Sequence, residues 1–181
     1  PPTNGGDDLA FRRRQLEQRV AEMEAAHALL TGTVNGEDIC WIHHAGEPAP
    51  TNIERSEGPV VLAGHSFGAA TAFAAAASSR LPQIECIIAM DPWMFPVPSQ
   101  LQLPPTLSCI CLNSHTFHWP ANWEALQRLV APSSNSLLLT IRGTAHMDQS
   151  DLPSILPSWA LWRLRPPAAL PPQRVLTLNH Q

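Results

Sequence analysis

The sequence predicts an α/β fold built on a mostly parallel sheet with flanking helices. Apolar runs of strand length alternate with helical segments along the middle of the chain, which is typical of parallel strands with covered faces. The length of 181 residues is that of one domain, and a hydrophobic content of 44% with 14% charged residues is typical of a globular protein.

An amphipathic helix is predicted before the sheet begins. Within LAFRRRQLEQRVAEMEAAHALL the apolar residues recur about every 3.6 positions, and TGTVNG ends the helix. The stretch DICWIHH is interpreted as a short extended piece. AGEPAPTNIERSEG then follows as a loop because of its prolines and glycines.

The remaining segments supply the sheet and its helices. Apolar runs predict four strands, and an alanine-rich stretch and an amphipathic stretch predict two helices. In chain order these are the strand PVVLAG, the helix FGAATAFAAAASSR, the strands ECIIAM and TLSCICL, the helix WEALQRLV and the strand SLLLTIRG. A further helix is predicted in SDLPSILPSWALWRL, weakened by its prolines. Cys109 and Cys111 are two residues apart in a strand, so we expect both on one face, in the core.

The turn after the first of these strands carries the pattern G-x-S-x-G, from Gly64 to Gly68. Ser66 is interpreted as a nucleophile rather than an ordinary residue of a glycine-rich turn, because a strand precedes it and a helix follows directly. Both glycines are expected to be necessary, since a side chain on either would collide with the backbone of so tight a turn. The Phe67 amide, at the start of the helix, is the predicted first oxyanion donor.

Two other strand ends supply the acid and the base that a nucleophilic serine needs. Asp91 follows the strand ECIIAM, and His146 comes soon after the last strand, in the chain order Ser, Asp, His of α/β-hydrolases. Glu85 and Glu124 are the rival acids between Ser66 and His146. Glu85 begins a strand and Glu124 lies within a predicted helix, so Asp91 is favoured.

A metal site is the competing interpretation of the remaining histidines. Cys40 and His43, together with His115 and His118, supply four residues of two types that zinc accepts as ligands. Their spacing matches no zinc finger or ribbon, so we predict no metal and no cofactor. His115 and His118 instead follow a strand and are candidates to line a pocket.

The charge pattern argues against a nucleic-acid partner. The net charge is −4, and the one cluster of basic residues, Arg12 to Arg14, covers a single helical turn and is interpreted as a solvated face. No apolar stretch has the length of a membrane span. The sequence indicates no particular compartment.

Four segments together resemble the platelet-activating factor acetylhydrolases. They are GHSFGAA at 64–70, MDPWMFP at 90–96, LNSHTFHWPAN at 112–122 and IRGTAH at 141–146, and WMFP is more distinctive than the serine motif. The resemblance extends from about the first helix to the segment after the last of these motifs. It implies a calcium-independent serine esterase that removes the acetyl, or a short or oxidised acyl chain, from the sn-2 position of a glycerophospholipid.

The resemblance also assigns roles to residues. Ser66 would be the nucleophile, His146 the general base and then acid, Asp91 the residue that orients His146, and Phe67 one oxyanion donor. Trp93, Met94, Phe95 and His65 are candidates for the substrate pocket, although core packing explains the first three equally well. Pro92 departs from the family pattern and is expected to hold Asp91 extended.

The chain also departs from the family in what precedes the serine. Those residues provide a helix and at most one short strand, and HHAG is not followed by the crossover that a neighbouring parallel strand needs. We therefore expect residues 1–165 to be the C-terminal part of one α/β-hydrolase domain without its N-terminal strands, and 166–181 to be a proline-rich tail. The alternatives are a generic carboxylesterase and a catalytically dead truncated hydrolase that binds lipid or a partner around Trp159 and Trp162.

Overall fold

Four parallel strands form a single sheet in the order β1-β2-β3-β4. The computed structural model describes residues 6–32, 58–78, 80–133, 135–150, 152–157, 159–161, 170, 171 and 174. The strands are β1 (Val60–His65), β2 (Ile84–Met90), β3 (Ser108–Ser114) and β4 (Ser136–Ile141), and the helices are α1 (Gly6–Leu30), α2 (Phe67–Ala77), α3 (Pro120–Val130) and α4 (Leu152–Ile155). The predicted parallel α/β arrangement is confirmed. The stretches DICWIHH and HHAG lie outside the described residues.

The core lies between α2 and one face of the sheet. Alanines make most of α2, so its backbone approaches the strands closely, and Phe73 fills the remaining space with no exposed surface. Cys109 and Cys111 project into this core from β3, as the sequence predicts, and both are fully buried. Burial in apolar surroundings raises the pKa of the Cys111 thiol to about 12.

Helix α1 packs against α2 on the outside of the core. Leu16 is buried in the core cluster, and Val20 and Met23 pack against it from the same side of the helix. Near the end of α1, a ring nitrogen of His27 (Nε2) lies 2.8 Å from the Pro82 carbonyl oxygen before β2. These contacts fix α1 along α2 and against the loop that joins α2 to β2.

No helix connects β2 to β3, although the two strands are parallel. The connection, residues 91–107, runs over the sheet as an irregular segment, and Met94 contributes its side chain to the core. Asn122 of α3 holds this segment: its Oδ1 accepts the Met94 N–H at 2.7 Å and its Nδ2 donates to the Pro92 carbonyl at 3.0 Å. One buried side chain therefore orders the chain just after the end of β2.

The C-terminal residues are described only in part. Within the segment predicted as a helix, α4 covers Leu152–Ile155, Pro157 follows it closely, and residues 159–161 are again helical. The Leu170 N–H donates to the Gly143 carbonyl at 2.7 Å, so this point of the predicted tail contacts the segment after β4. The division at residues 165 and 166 stays a prediction. Among the described residues, no helix has both the length and the apolar character needed to cross a membrane.

The Asn122 contacts predict a large effect of a nearly isosteric substitution. We expect Asn122→Leu to lower the free energy of unfolding by about 1–3 kcal/mol, because the buried Met94 N–H and Pro92 carbonyl lose their partner. Chemical denaturation measures the change, and Asn135→Leu, at an exposed position, is the control. Equal losses in the two variants would contradict this account.

Candidate active site

The turn between β1 and α2 is as tight as the sequence predicts, but only one of its two flanking glycines is required by space. A Cβ on Gly64 would lie 2.4 Å from the carbonyl carbon of Gly68, inside any allowed contact. A Cβ on Gly68 would meet nothing within 4 Å, so the expectation that both glycines prevent collisions is wrong for Gly68. Gly64 is needed because α2 starts directly above it.

Ser66 occupies the turn itself with a left-handed backbone, φ 57° and ψ −117°. Its carbonyl oxygen accepts hydrogen bonds from the Ala70 N–H at 3.2 Å and the Trp93 N–H at 3.1 Å, which fix the turn from both sides. Phe67 is the first residue of α2, so no preceding residue of the helix can accept its amide hydrogen. The amide is available to a developing negative charge beside Ser66.

Ser66, His146 and Asp91 form one chain of hydrogen bonds. The Ser66 Oγ lies 3.1 Å from the His146 Nε2, and the His146 Nδ1 lies 3.1 Å from the Asp91 Oδ2. The Asp91 side chain is fully buried, whereas the His146 side chain is 36% exposed. The predicted nucleophile, base and acid therefore meet, with the base open to solvent and the acid enclosed.

Asp91 is held at the end of β2 by the neighbouring strand. Its Oδ1 accepts the Ser114 N–H, and its Oδ2 accepts the Ser114 hydroxyl at 2.7 Å. The expectation that Pro92 keeps Asp91 extended is wrong, because Asp91 has φ 43°. This left-handed conformation turns the side chain toward the end of β3, where Ser114 binds it.

His146 is placed by a short 3-10 turn and by two rings. Asp148, two residues later, accepts the Ala145 N–H at 2.8 Å and fixes the turn. The His146 ring lies between Phe117, stacked at 4.0 Å between centroids, and His65, tilted at 4.5 Å. The sequence does not predict this contact between Phe117 and the base, because the only signal for it is that Phe117 is an aromatic residue after β3.

The rival residues lie elsewhere. Glu85 and Glu124 are exposed. The His118 Nε2 lies 2.9 Å from the Thr140 hydroxyl, and the His115 Nδ1 accepts the Gly143 N–H at 3.4 Å. Neither histidine is bonded to Ser66.

His65 faces His146 rather than Ser66. Burial lowers the pKa of His65, and the nearby His146 lowers it further. Its Nε2 has no hydrogen-bond partner within the described part of the chain. His65 therefore contributes a neutral ring beside the predicted base.

The predicted pocket residues after Asp91 divide into two kinds. Met94 is 4% exposed and belongs to the core. Trp93 and Phe95 are partly exposed, and their rings stack at 5.6 Å with an interplanar angle of 19°. The Phe67 and Trp93 ring centroids are 5.9 Å apart. Phe67, Trp93 and Phe95 therefore form an aromatic row that begins at the residue after Ser66.

One group of the described residues has the arrangement of a possible metal-ion site. Potential ligand atoms of His65, Asp91 and His146 lie within 4.8 Å of one another, and two of these residues belong to the Ser66 hydrogen-bond chain. Cys40 and His43, the other half of the zinc alternative, lie outside the described residues.

Comparison with known proteins identifies relatives of the chain. A profile of the family described as platelet-activating factor acetylhydrolase, isoform II, matches residues 3–181. The platelet-activating factor acetylhydrolase of Bos taurus is 27% identical over 81% of this chain and 33% of its own length. That of Gallus gallus is 28% identical over 81% and 35%. A putative phospholipase A2 of Schizosaccharomyces pombe is 29% identical over 94% and 47%. The chain thus spans about a third of the length of the first of these relatives.

A solved structure has the same fold. The ferulic acid esterase from Streptomyces cinnamoneus aligns with a TM-score of 0.50 and 18% identity, over 91% of this chain and 41% of that one. With the four parallel strands and flanking helices, this likeness identifies the fold as that of the α/β-hydrolases.

The two glycines of the turn predict opposite results for the same substitution. We expect Gly64→Ala to lower the free energy of unfolding by about 1–3 kcal/mol, since the added methyl group displaces the start of α2. Gly68→Ala, the control, has room and is expected to be neutral or to stabilise α2 by about 0.5–1 kcal/mol. Thermal unfolding of both variants measures the difference, and a larger loss from Gly68→Ala would contradict the assignment.

Proposed function

Because the chain belongs to the family of platelet-activating factor acetylhydrolases, isoform II, we propose that it carries the nucleophile, acid and base of a serine esterase. The proposed substrates are platelet-activating factor and related glycerophospholipids with an acetyl, or a short or oxidised acyl chain, at the sn-2 position. The names of the relatives support a phospholipase-type hydrolase. The chain corresponds to about a third of the length of several of them, so the proposal concerns the part that holds the chemistry.

One observation carries the proposal: Ser66, at the turn between β1 and α2, is linked by a chain of hydrogen bonds to His146 and then to Asp91. A serine hydroxyl is a weak nucleophile unless a base accepts its proton. The Nε2 of His146 lies at hydrogen-bonding distance from the Ser66 Oγ. Asp91 accepts a hydrogen bond from the His146 Nδ1–H and so selects the tautomer with a free Nε2 lone pair.

The proposed reaction passes through an acyl-enzyme. The Ser66 Oγ attacks the ester carbonyl carbon while its proton moves to the His146 Nε2, and the resulting oxyanion lies against the Phe67 amide and the N-terminus of α2. The bond to the sn-2 glycerol oxygen then breaks, and that oxygen takes the proton from His146. A water molecule repeats the sequence, releasing the carboxylic acid and restoring Ser66.

The aromatic row supports a pocket for a short acyl chain. Trp93 and Phe95 are partly exposed and the Trp93 N–H binds the Ser66 carbonyl, whereas Met94 between them lies in the core. On the segment after His146, Ile155 and Trp159 are 76% and 71% exposed, which supports association with a lipid surface. Trp162, the other tryptophan considered there, lies outside the described residues.

A fluorophosphonate probe tests the nucleophile. We expect stoichiometric labelling of Ser66, because the probe reacts with a serine whose proton a histidine accepts, and loss of labelling in Ser66→Ala. Mass spectrometry of the labelled peptide measures it, and Ser99→Ala, at an exposed serine, is the control. A folded chain that takes no label would instead support the catalytically dead module.

Acyl selectivity tests the pocket. We expect Phe95→Ala to reduce the preference for acetyl over hexanoyl esters by about tenfold in kcat/KM, because removing the ring lengthens the pocket behind Trp93. Hydrolysis of glycerophosphocholines that differ only in the sn-2 chain measures the ratio. An unchanged ratio would remove Phe95 from the pocket.

A further inference from the structure

Two arginines of α1 lie on the aromatic row beside the nucleophile. The Arg19 guanidinium carbon is 4.8 Å from the centroid of the Phe67 ring, and that of Arg12 is 5.5 Å from the Trp93 ring. Arg12 is at the same distance from the Phe11 ring, so it lies close to two aromatic side chains. The interpretation of the arginine cluster as a solvated face is therefore wrong for Arg12, which is partly buried.

Both guanidinium groups keep hydrogen-bond donors to offer. Arg12 donates to the Gln15 Oε1 at 2.8 Å, and the residues with described positions include no ion-pair partner for Arg12 or Arg19. A guanidinium that rests on a ring still presents its N–H groups at the rim, in the planar arrangement that matches two oxygens of a phosphate. The two arginines thus form a positively charged surface, and Glu22, which lines the same groove as Arg19, makes no ion pair with either of them among the described residues.

The two residues whose rings lie under these arginines are backbone neighbours of Ser66. Phe67 is the next residue in the chain, and the Trp93 N–H donates to the Ser66 carbonyl at 3.1 Å. A groove of about 730 Å³ opens between α1 and the start of α2, with Arg19, Gln18 and Gly68 among the residues that line it. That volume is in the range of sites for small organic ligands.

We propose that Arg12 and Arg19 form a subsite for the phosphodiester of the glycerophospholipid whose sn-2 ester is attacked by Ser66. This inference rests on the proposed esterase function. In such a substrate the ester and the phosphodiester are attached to adjacent glycerol carbons, so a substrate bound at Ser66 brings its phosphate close to the nucleophile. The subsite places the sn-2 carbonyl at Ser66 and distinguishes phospholipids from neutral esters.

The test compares a phosphate-bearing ester with a neutral one on the full chain. We expect the Arg12→Gln/Arg19→Gln variant to lose about tenfold to a hundredfold in kcat/KM for 1-alkyl-2-acetylglycerophosphocholine, the effect of removing charged hydrogen bonds. With p-nitrophenyl acetate, which has no phosphate, its rate should match the unmodified chain. Arg13→Gln removes one positive charge, against two in the double variant, from an exposed position in the same helical turn as Arg12, and should leave both rates unchanged.

Equal losses on both esters, or an equal loss in Arg13→Gln, would overturn the subsite. If the unmodified chain hydrolyses neither ester, the esterase proposal fails, and binding then decides about the arginines. Calorimetry with the Ser66→Ala chain would compare dihexanoyl phosphatidylcholine, dihexanoylglycerol and inorganic phosphate. Arginine-dependent binding of the phosphatidylcholine alone supports the subsite. Binding of inorganic phosphate without the lipid, or lipid binding that survives the double substitution, overturns it.

Discussion

The buried carboxylate of Asp91 is the constraint on which the site depends. A fully buried charge is tolerated only where hydrogen bonds replace the water that it has lost, and Asp91 receives them from the backbone and side chain of Ser114 and from His146. Those partners come from the end of β3 and from the turn after β4. Satisfying one carboxylate therefore requires three separate parts of the sheet to end at the same place.

The base is oriented by more than the acid. Hydrogen bonds at both ring nitrogens fix the plane of His146, and the rings of Phe117 and His65 fill the space on either side of that plane. Because His65 is held neutral, it adds no charge that would oppose a proton arriving on His146. Ring contacts and hydrogen bonds thus restrict different motions of the same imidazole.

The parts of the site that sequence could predict are those set by chain order. Ser66, Asp91 and His146 each follow a strand, and parallel strands bring such residues to one edge of a sheet. The contacts made by loops were not predictable. Phe117 contacts His146 from a segment that has no periodic pattern of apolar residues. The path of residues 91–107 depends on which of their side chains pack into the core, and no helical pattern indicates it. The family resemblance added the chemistry of the substrate, which no periodicity contains.

Two residues of the site have backbones that L-amino acids rarely adopt, Ser66 at φ 57° and Asp91 at φ 43°. Conformations of this kind cost on the order of 1–3 kcal/mol each, a large part of the stability of a single domain. Glycine would relieve the cost at either position and would remove the nucleophile or the acid. A laboratory selection of this chain for thermal stability alone would therefore favour inactive sequences, so directed evolution of such a scaffold has to screen for turnover in the same step.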